Sequence, residues 1–126
     1  MLATLTEIEH EKQRYETVGD WEVGGDPPRF TITVSKMPNP DHMFLVQLHE
    51  MIEVWLCHRR GIPQEVVDRF DMEYEAQRPE GDDSEPGAQP NAPYHREHWF
   101  ATKMERQMAE ELGVNWEEYE ATINSL

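Results

Sequence analysis

The residues best equipped for chemistry lie close together, in His49-Glu50-Met51-Ile52-Glu53, within a stretch that is otherwise largely apolar. At about 100° per residue along a helix, His49 and Glu53 stand one turn apart and project the same way. A neutral imidazole and a carboxylate so placed can supply two ligands to one metal ion. Two ligands do not make a site, so a third must come from elsewhere. The stretch from Tyr94 to Leu112 offers it. On its helical wheel His98, Ala101, Thr102, Glu105, Met108, Ala109 and Leu112 share the semi-apolar sector expected to pack inward. A histidine and a glutamate on a packing face need a metal or a buried hydrogen bond to offset their desolvation. The combined expectation has His49, Glu53 and His98 as ligands, with Glu105 as a fourth ligand or as a partner orienting a histidine. Glu50 would stand beside them as the general base. Zinc suits this donor set best, and iron or manganese also accept two histidines and a carboxylate.

Each of these residues has a plainer reading. His49 and Glu53 could be a hydrogen-bonded i, i+4 pair, His98 a satisfied interior histidine, and Glu105 the partner of an arginine. His95, at a helix start, reads as a surface or supporting residue. Cys57 reads as a small apolar filler, because no electropositive setting surrounds it. Asp68, Asp71 and Glu75 read as a solvated face, and Trp116 with Tyr119 as C-terminal packing. His10, His42 and His58 show no partner pattern.

The elements that must position these groups follow from the residue pattern. A chain of 126 residues fits one domain, 1–126. Residues 1–13 hold Thr4, Thr6 and Ile8 and favour a short strand. Tyr15 to Val23 is rich in β-formers and ends at Gly24-Gly25-Asp26-Pro27-Pro28, a turn signal. Phe30, Ile32 and Val34 then alternate with Thr31, Thr33 and Ser35, which predicts a strand with one buried face and an antiparallel hairpin. Asp41 is the expected N-cap of a helix from Met43 to His58 stopped by Gly61. In it Leu45, Leu48, Met51, Ile52, Trp55 and Leu56 form an apolar arc expected to face the core, with His49 and Glu53 opposite. Val46 and Cys57 share the polar sector, so a cover over that side would leave a cleft. Pro63 opens a second helix to Gln77, with Val66, Val67, Phe70 and Tyr74 on one side. Residues 78–93, with four prolines and two glycines, form an irregular loop long enough to be mobile or to act as a lid or strap. A third helix ends at Gly113, and Asn115 caps a short fourth. Strands followed by helices make the class α+β: an antiparallel sheet of two to three strands packed on three to four helices.

Residues 45–53, Leu45-Val46-Gln47-Leu48-His49-Glu50-Met51-Ile52-Glu53, resemble the metal-binding helix of zincin metallopeptidases, whose motif is His-Glu-x-x-His. The preceding hairpin agrees with that context, since strands lie beside the active helix in zincins. The same stretch is similar to one in small uncharacterised bacterial and phage proteins, in which a helix with His and Glu also follows a Pro-rich loop, as Pro93-Tyr94-His95 to Glu105 does here. The resemblance implies a zincin-like fold with His49 as first ligand, Glu50 as base and Glu53 as a substituted ligand. Glu53 stands where the motif has its second histidine, so a metal or polar centre is better supported than peptidase activity.

The net charge of −15 repels phosphate backbones and anionic bilayers, which argues against nucleic-acid or membrane binding. It fits solubility, a basic protein partner or, more remotely, a DNA mimic. One cysteine leaves no intrachain disulfide and suits a reducing compartment. No leader-like segment or apolar run of membrane-spanning length stands out, so a cytoplasmic location is expected. Two functions follow as expectations: a metal-binding protein, acting as a metal-dependent hydrolase, or a non-catalytic acidic interaction protein associated with phage or mobile elements.

Overall fold

A computed structural model describes residues 2–126 of the chain. Three strands, β1 (Leu2–Ile8), β2 (Gly19–Gly24) and β3 (Arg29–Ser35), are followed by four helices, α1 (Pro40–Arg59), α2 (Gln64–Gln77), α3 (His95–Leu112) and α4 (Trp116–Asn124). The α+β class holds, but the sheet is mixed rather than antiparallel. Its order is β1-β3-β2, with β2 antiparallel and β1 parallel to β3. The segment between β1 and β2 causes this. It makes a short 3-10 turn at His10–Lys12 and carries the chain to the far side of β3, so β2 enters from the opposite end.

The predicted alternation in β3 is realised: Phe30, Ile32 and Val34 are buried. They support α1, which lies against β2 and β3 on one side and α3 on the other. β1 has no such cover. Its residues Leu2 to Glu7 are exposed on both faces, and Leu2 and Leu5 remain 55% and 44% accessible. Hydrophobic burial at about 1.5–3 kcal/mol per large side chain therefore comes from the α1–β3 interface, not from the edge strand.

α1 departs from expectation at two points. Asn39, not Asp41, is its N-cap: Asn39 Oδ1 accepts the Asp41 N–H at 2.9 Å, and Pro40 takes the first helical position, where a missing N–H costs nothing. The buried face is also rotated toward the polar pair: Leu45 of the expected apolar arc is fully buried, but Trp55 is not. His42, Leu45, Val46, His49, Glu53, Val54 and Cys57 are buried, whereas Trp55 and Phe44 remain 42% and 40% exposed. The sector with the polar pair is the one that packs inward, because groups from β2 and α3 meet its polar atoms and compensate their desolvation. In α2, Val67 and Asp71 are the buried residues, while Val66 is 40% exposed. Asp71 thus belongs to the interior and not to a solvated face.

Candidate metal centre

Three elements converge on Glu53. One turn back on α1, His49 Nε2 lies 3.0 Å from Glu53 Oε2. From α3, His98 Nδ1 lies 2.9 Å from the same oxygen and 3.2 Å from His49 Nε2. These three atoms form a compact triangle, and the three residues are close enough for one metal ion. Donors at zinc bond lengths of about 2.0–2.1 Å are separated by roughly 3.3 Å in a tetrahedron and roughly 2.9 Å in an octahedron. The triangle has the size of one face of either polyhedron.

The far atom of each residue is held by a separate partner. His49 Nδ1 meets Glu105 Oε1 at 2.8 Å, and the other Glu105 oxygen accepts the Tyr119 hydroxyl at 2.6 Å. Glu53 Oε1 accepts the Trp21 indole N–H at 3.0 Å. His98 Nε2 meets Glu85 Oε2 at 2.6 Å. Such contacts fix the tautomer and the plane of a ligand ring. Of the two roles anticipated for Glu105, ligand or orienting partner, the geometry supports the second, because it sits across the imidazole ring from the triangle.

The local sequence explains each placement. Gly19 in β2 lies where an added Cβ would stand 2.6 Å from Val46 and 2.8 Å from Glu50 Oε1, so only glycine lets β2 approach α1 this closely. Gly87, in a 3-10 turn at Pro86–Ala88, lies over the His98 ring, where a Cβ would sit 2.5 Å from Cγ. The loop of residues 78–93 is therefore a strap across the site. His95 Nδ1 against the Gly87 carbonyl at 3.1 Å and the Arg78 guanidinium on Glu75 at 2.6 and 2.9 Å fasten it. At the other end of the helix pair, Arg60 donates to the buried Glu97 at 2.6 Å.

Charge in the cluster is strongly coupled. Burial alone would lower the histidines, but hydrogen bonds to the Glu105 and Glu53 carboxylates outweigh it and hold His49 well above its ordinary value. The same contest, with Glu53 and Glu85, raises His98 to about 9. Burial works against the Glu53 carboxylate, yet the two imidazoles bring it below the usual carboxylate range. Glu50, which lines the cavity, is pushed up by burial and then by the Glu53 charge. On α2, Asp71 accepts hydroxyl hydrogen bonds from Tyr15 at 3.0 Å and Tyr94 at 2.5 Å. Burial lifts it to about 7 in spite of them.

All these groups line one cavity of about 330 Å³ between β2, α1, α2, α3, α4 and the strap. At its rim, His10 Nδ1 lies 2.9 Å from Ser35 Oγ and His10 Nε2 lies 3.0 Å from Glu16 Oε1. That row has the order of a nucleophile, a base and its orienting acid. Ser35 is completely buried and also accepts from Gln13 Nε2 at 3.1 Å, so no substrate can reach it. The row fastens the segment before β2 to the end of β3.

Sequence reasoning assembled His49, Glu53, His98, Glu50 and Glu105. It did not single out Trp21, Glu85 or Tyr94, read Tyr119 as packing, and left Asp71 on a solvated face. Glu85 carried no signal of its own, since Glu80, Asp82 and Asp83 share its Pro-rich loop. Cys57 is fully buried, and His42 is buried against the Tyr119 ring. No family model matches the chain, and no curated protein or solved structure matches it. No helix among the described residues is long and apolar enough to cross a membrane.

Proposed function

We propose that this protein binds one divalent metal ion, zinc by preference, through His49 Nε2, Glu53 Oε2 and His98 Nδ1, and that it hydrolyses an acyl bond there with Glu50 as general base. The observation that carries this reading is the donor triangle with edges of 2.9, 3.0 and 3.2 Å, each member of which is gripped from behind by its own partner. The likeness of residues 45–53 to the zincin helix adds support, with Glu50 in the position of that motif's base.

A bound ion supplies Lewis acidity toward a carbonyl oxygen. The chain's own residues do the rest. Glu50, raised by burial beside Glu53, is suited to take a proton from water near neutral pH. The water oxygen bonds to the acyl carbon, the bond to the leaving atom breaks, and Glu50 returns the proton to that atom. The strap over His98 limits access of bulk water from that side.

A second reading, a non-catalytic acidic protein, draws on the fact that the same residues satisfy one another by hydrogen bonds. It makes them a staple between α1 and α3. Mass spectrometry of zinc-reconstituted protein separates the two. Near-stoichiometric zinc in the wild type, lost in His49→Ala and kept in Glu50→Gln, supports the metal reading. Sub-stoichiometric zinc in the wild type ends it. Hydrolytic activity absent from metal-loaded Glu50→Gln supports the assigned base.

A further inference from the structure

The cavity wall shows what the site would bind. Among the described residues it carries eleven Asp and Glu side chains and one arginine, Arg78. Most of the buried acids already have a basic partner. Arg14 holds Asp20 at 2.7 Å and Asp68 at 3.1 Å. Arg78 holds Glu75 at 2.6 Å, and His49 and His98 hold Glu53, Glu85 and Glu105. Among the described residues, the cavity acids out of bulk solvent with no ion-pair partner are Glu50 and Asp71. Glu50 has a role as base. Asp71 is left, 6% exposed, with only the hydroxyls of Tyr15 and Tyr94 on its oxygens.

A buried carboxylate without a counter-charge is costly, and a ligand can supply the missing charge. Asp71 is also well placed to orient one. Tyr94 bridges it to the metal triad, with its hydroxyl on Asp71 and its ring edge-on to His98 at 6.1 Å between centroids. The wall repels phosphates and carboxylates and attracts cations. A volume of about 330 Å³ is at the lower end of small-ligand pockets, enough for a molecule the size of one amino-acid residue.

We infer that the substrate is a small amine- or guanidinium-bearing compound whose cationic group seats on Asp71, framed by Tyr15 and Tyr94, while its scissile acyl bond faces Glu50 and the His49–Glu53–His98 triangle. This rests on the hydrolytic reading for the second half of the statement only. Asp71 is a binding residue and takes no part in bond breaking.

Calorimetric titration of the full chain, with and without zinc, tests it with L-argininamide, with isocaproamide, which has an acyl bond but no cation, and with glutarate, an anion. The expected result is argininamide binding at least about tenfold tighter than isocaproamide, no glutarate binding, and at least about tenfold weaker argininamide binding in Asp71→Asn at unchanged zinc content, as loss of one buried ion pair implies. Equal binding of argininamide and isocaproamide, binding of glutarate, or an unaffected Asp71→Asn, overturns the inference. Should Asp71→Asn not fold, the Asp71 carboxyl ¹³C resonance of the wild type decides: it should move with argininamide and stay fixed with isocaproamide, and the reverse refutes the assignment. Absence of zinc overturns the hydrolytic reading alone, since the zinc-free titration still reports on Asp71.

Discussion

At the scale of single residues, the centre depends on groups that touch no ligand. Tyr119 reaches the donor triangle only through Glu105 and His49. Tyr119→Phe should weaken zinc binding by about 10-fold and Glu105→Gln by up to about 100-fold, the range found for partners that orient a metal-bound histidine. Competition with a chromophoric chelator measures both, and circular dichroism should show an unchanged fold. Asp71 provides a pH test. Its pKa is raised to about 7 in the folded chain, above the unfolded value of about 3.9. Between these values the folded state binds more protons than the unfolded one, so this residue makes stability fall as pH rises through that window. Asp71→Asn removes that contribution. Denaturant midpoints for the two proteins, taken in steps from about pH 4 to about pH 7.5, should give a flatter profile for the variant. A parallel pair of profiles would refute the assignment.

At the scale of elements, periodicity located the strand 29–35 and all four helices, and the caps Asn115 and Gly113 act as expected. The inward face of α1 was legible only in part. Its wheel places Leu45, Leu48, Met51, Ile52, Trp55 and Leu56 on one side and His49 with Glu53 on the other, and hydropathy alone favours burying the first. Leu45 is buried as expected, but His49 and Glu53 are buried with it and Trp55 is left exposed, because Trp21, His98 and Glu105, from elements distant in sequence, saturate the polar atoms. A single-chain pattern does not contain those partners. For the same reason His49, Glu53 and His98 could be grouped by residue type, while Trp21 and Tyr119 could not. Two glycines probe how closely the elements approach. Gly19→Ala, with its Cβ 2.6 Å from Val46, should destabilise by about 1–3 kcal/mol, as overpacking does, read from urea midpoints. Gly87→Ala, with its Cβ 2.5 Å from His98 Cγ, should push the strap off the His98 ring and displace Glu85 from His98. The His98 side-chain ¹⁵N shifts report that displacement.

At the scale of the whole molecule, the donor triangle joins two helices that are separated in sequence by α2 and the strap. An ion there would cross-link the folded state alone. At free zinc a hundredfold above Kd, the stabilisation is about 2.7 kcal/mol, or roughly 10 °C in Tm for a domain of this size. Differential scanning fluorimetry with and without zinc measures it, and no shift would count against the site. The net charge of −15 acts against compactness through self-repulsion. Added monovalent salt should therefore raise Tm of the zinc-free protein, since the Debye length shrinks to about 3 Å at 1 M.

The uncovered strand β1 has a colloidal consequence. It presents a free edge and two open faces, and Glu7 is its single charged residue. An edge of this kind is a template for joining another strand. At neutral pH the charge of the rest of the molecule keeps neighbouring copies apart. Near the isoelectric point of about 4.6 that repulsion vanishes while the edge stays as it was. Precipitation on acidification should then proceed through β1, and a lysine at Thr4 or Thr6 should slow it more than a lysine placed on α4.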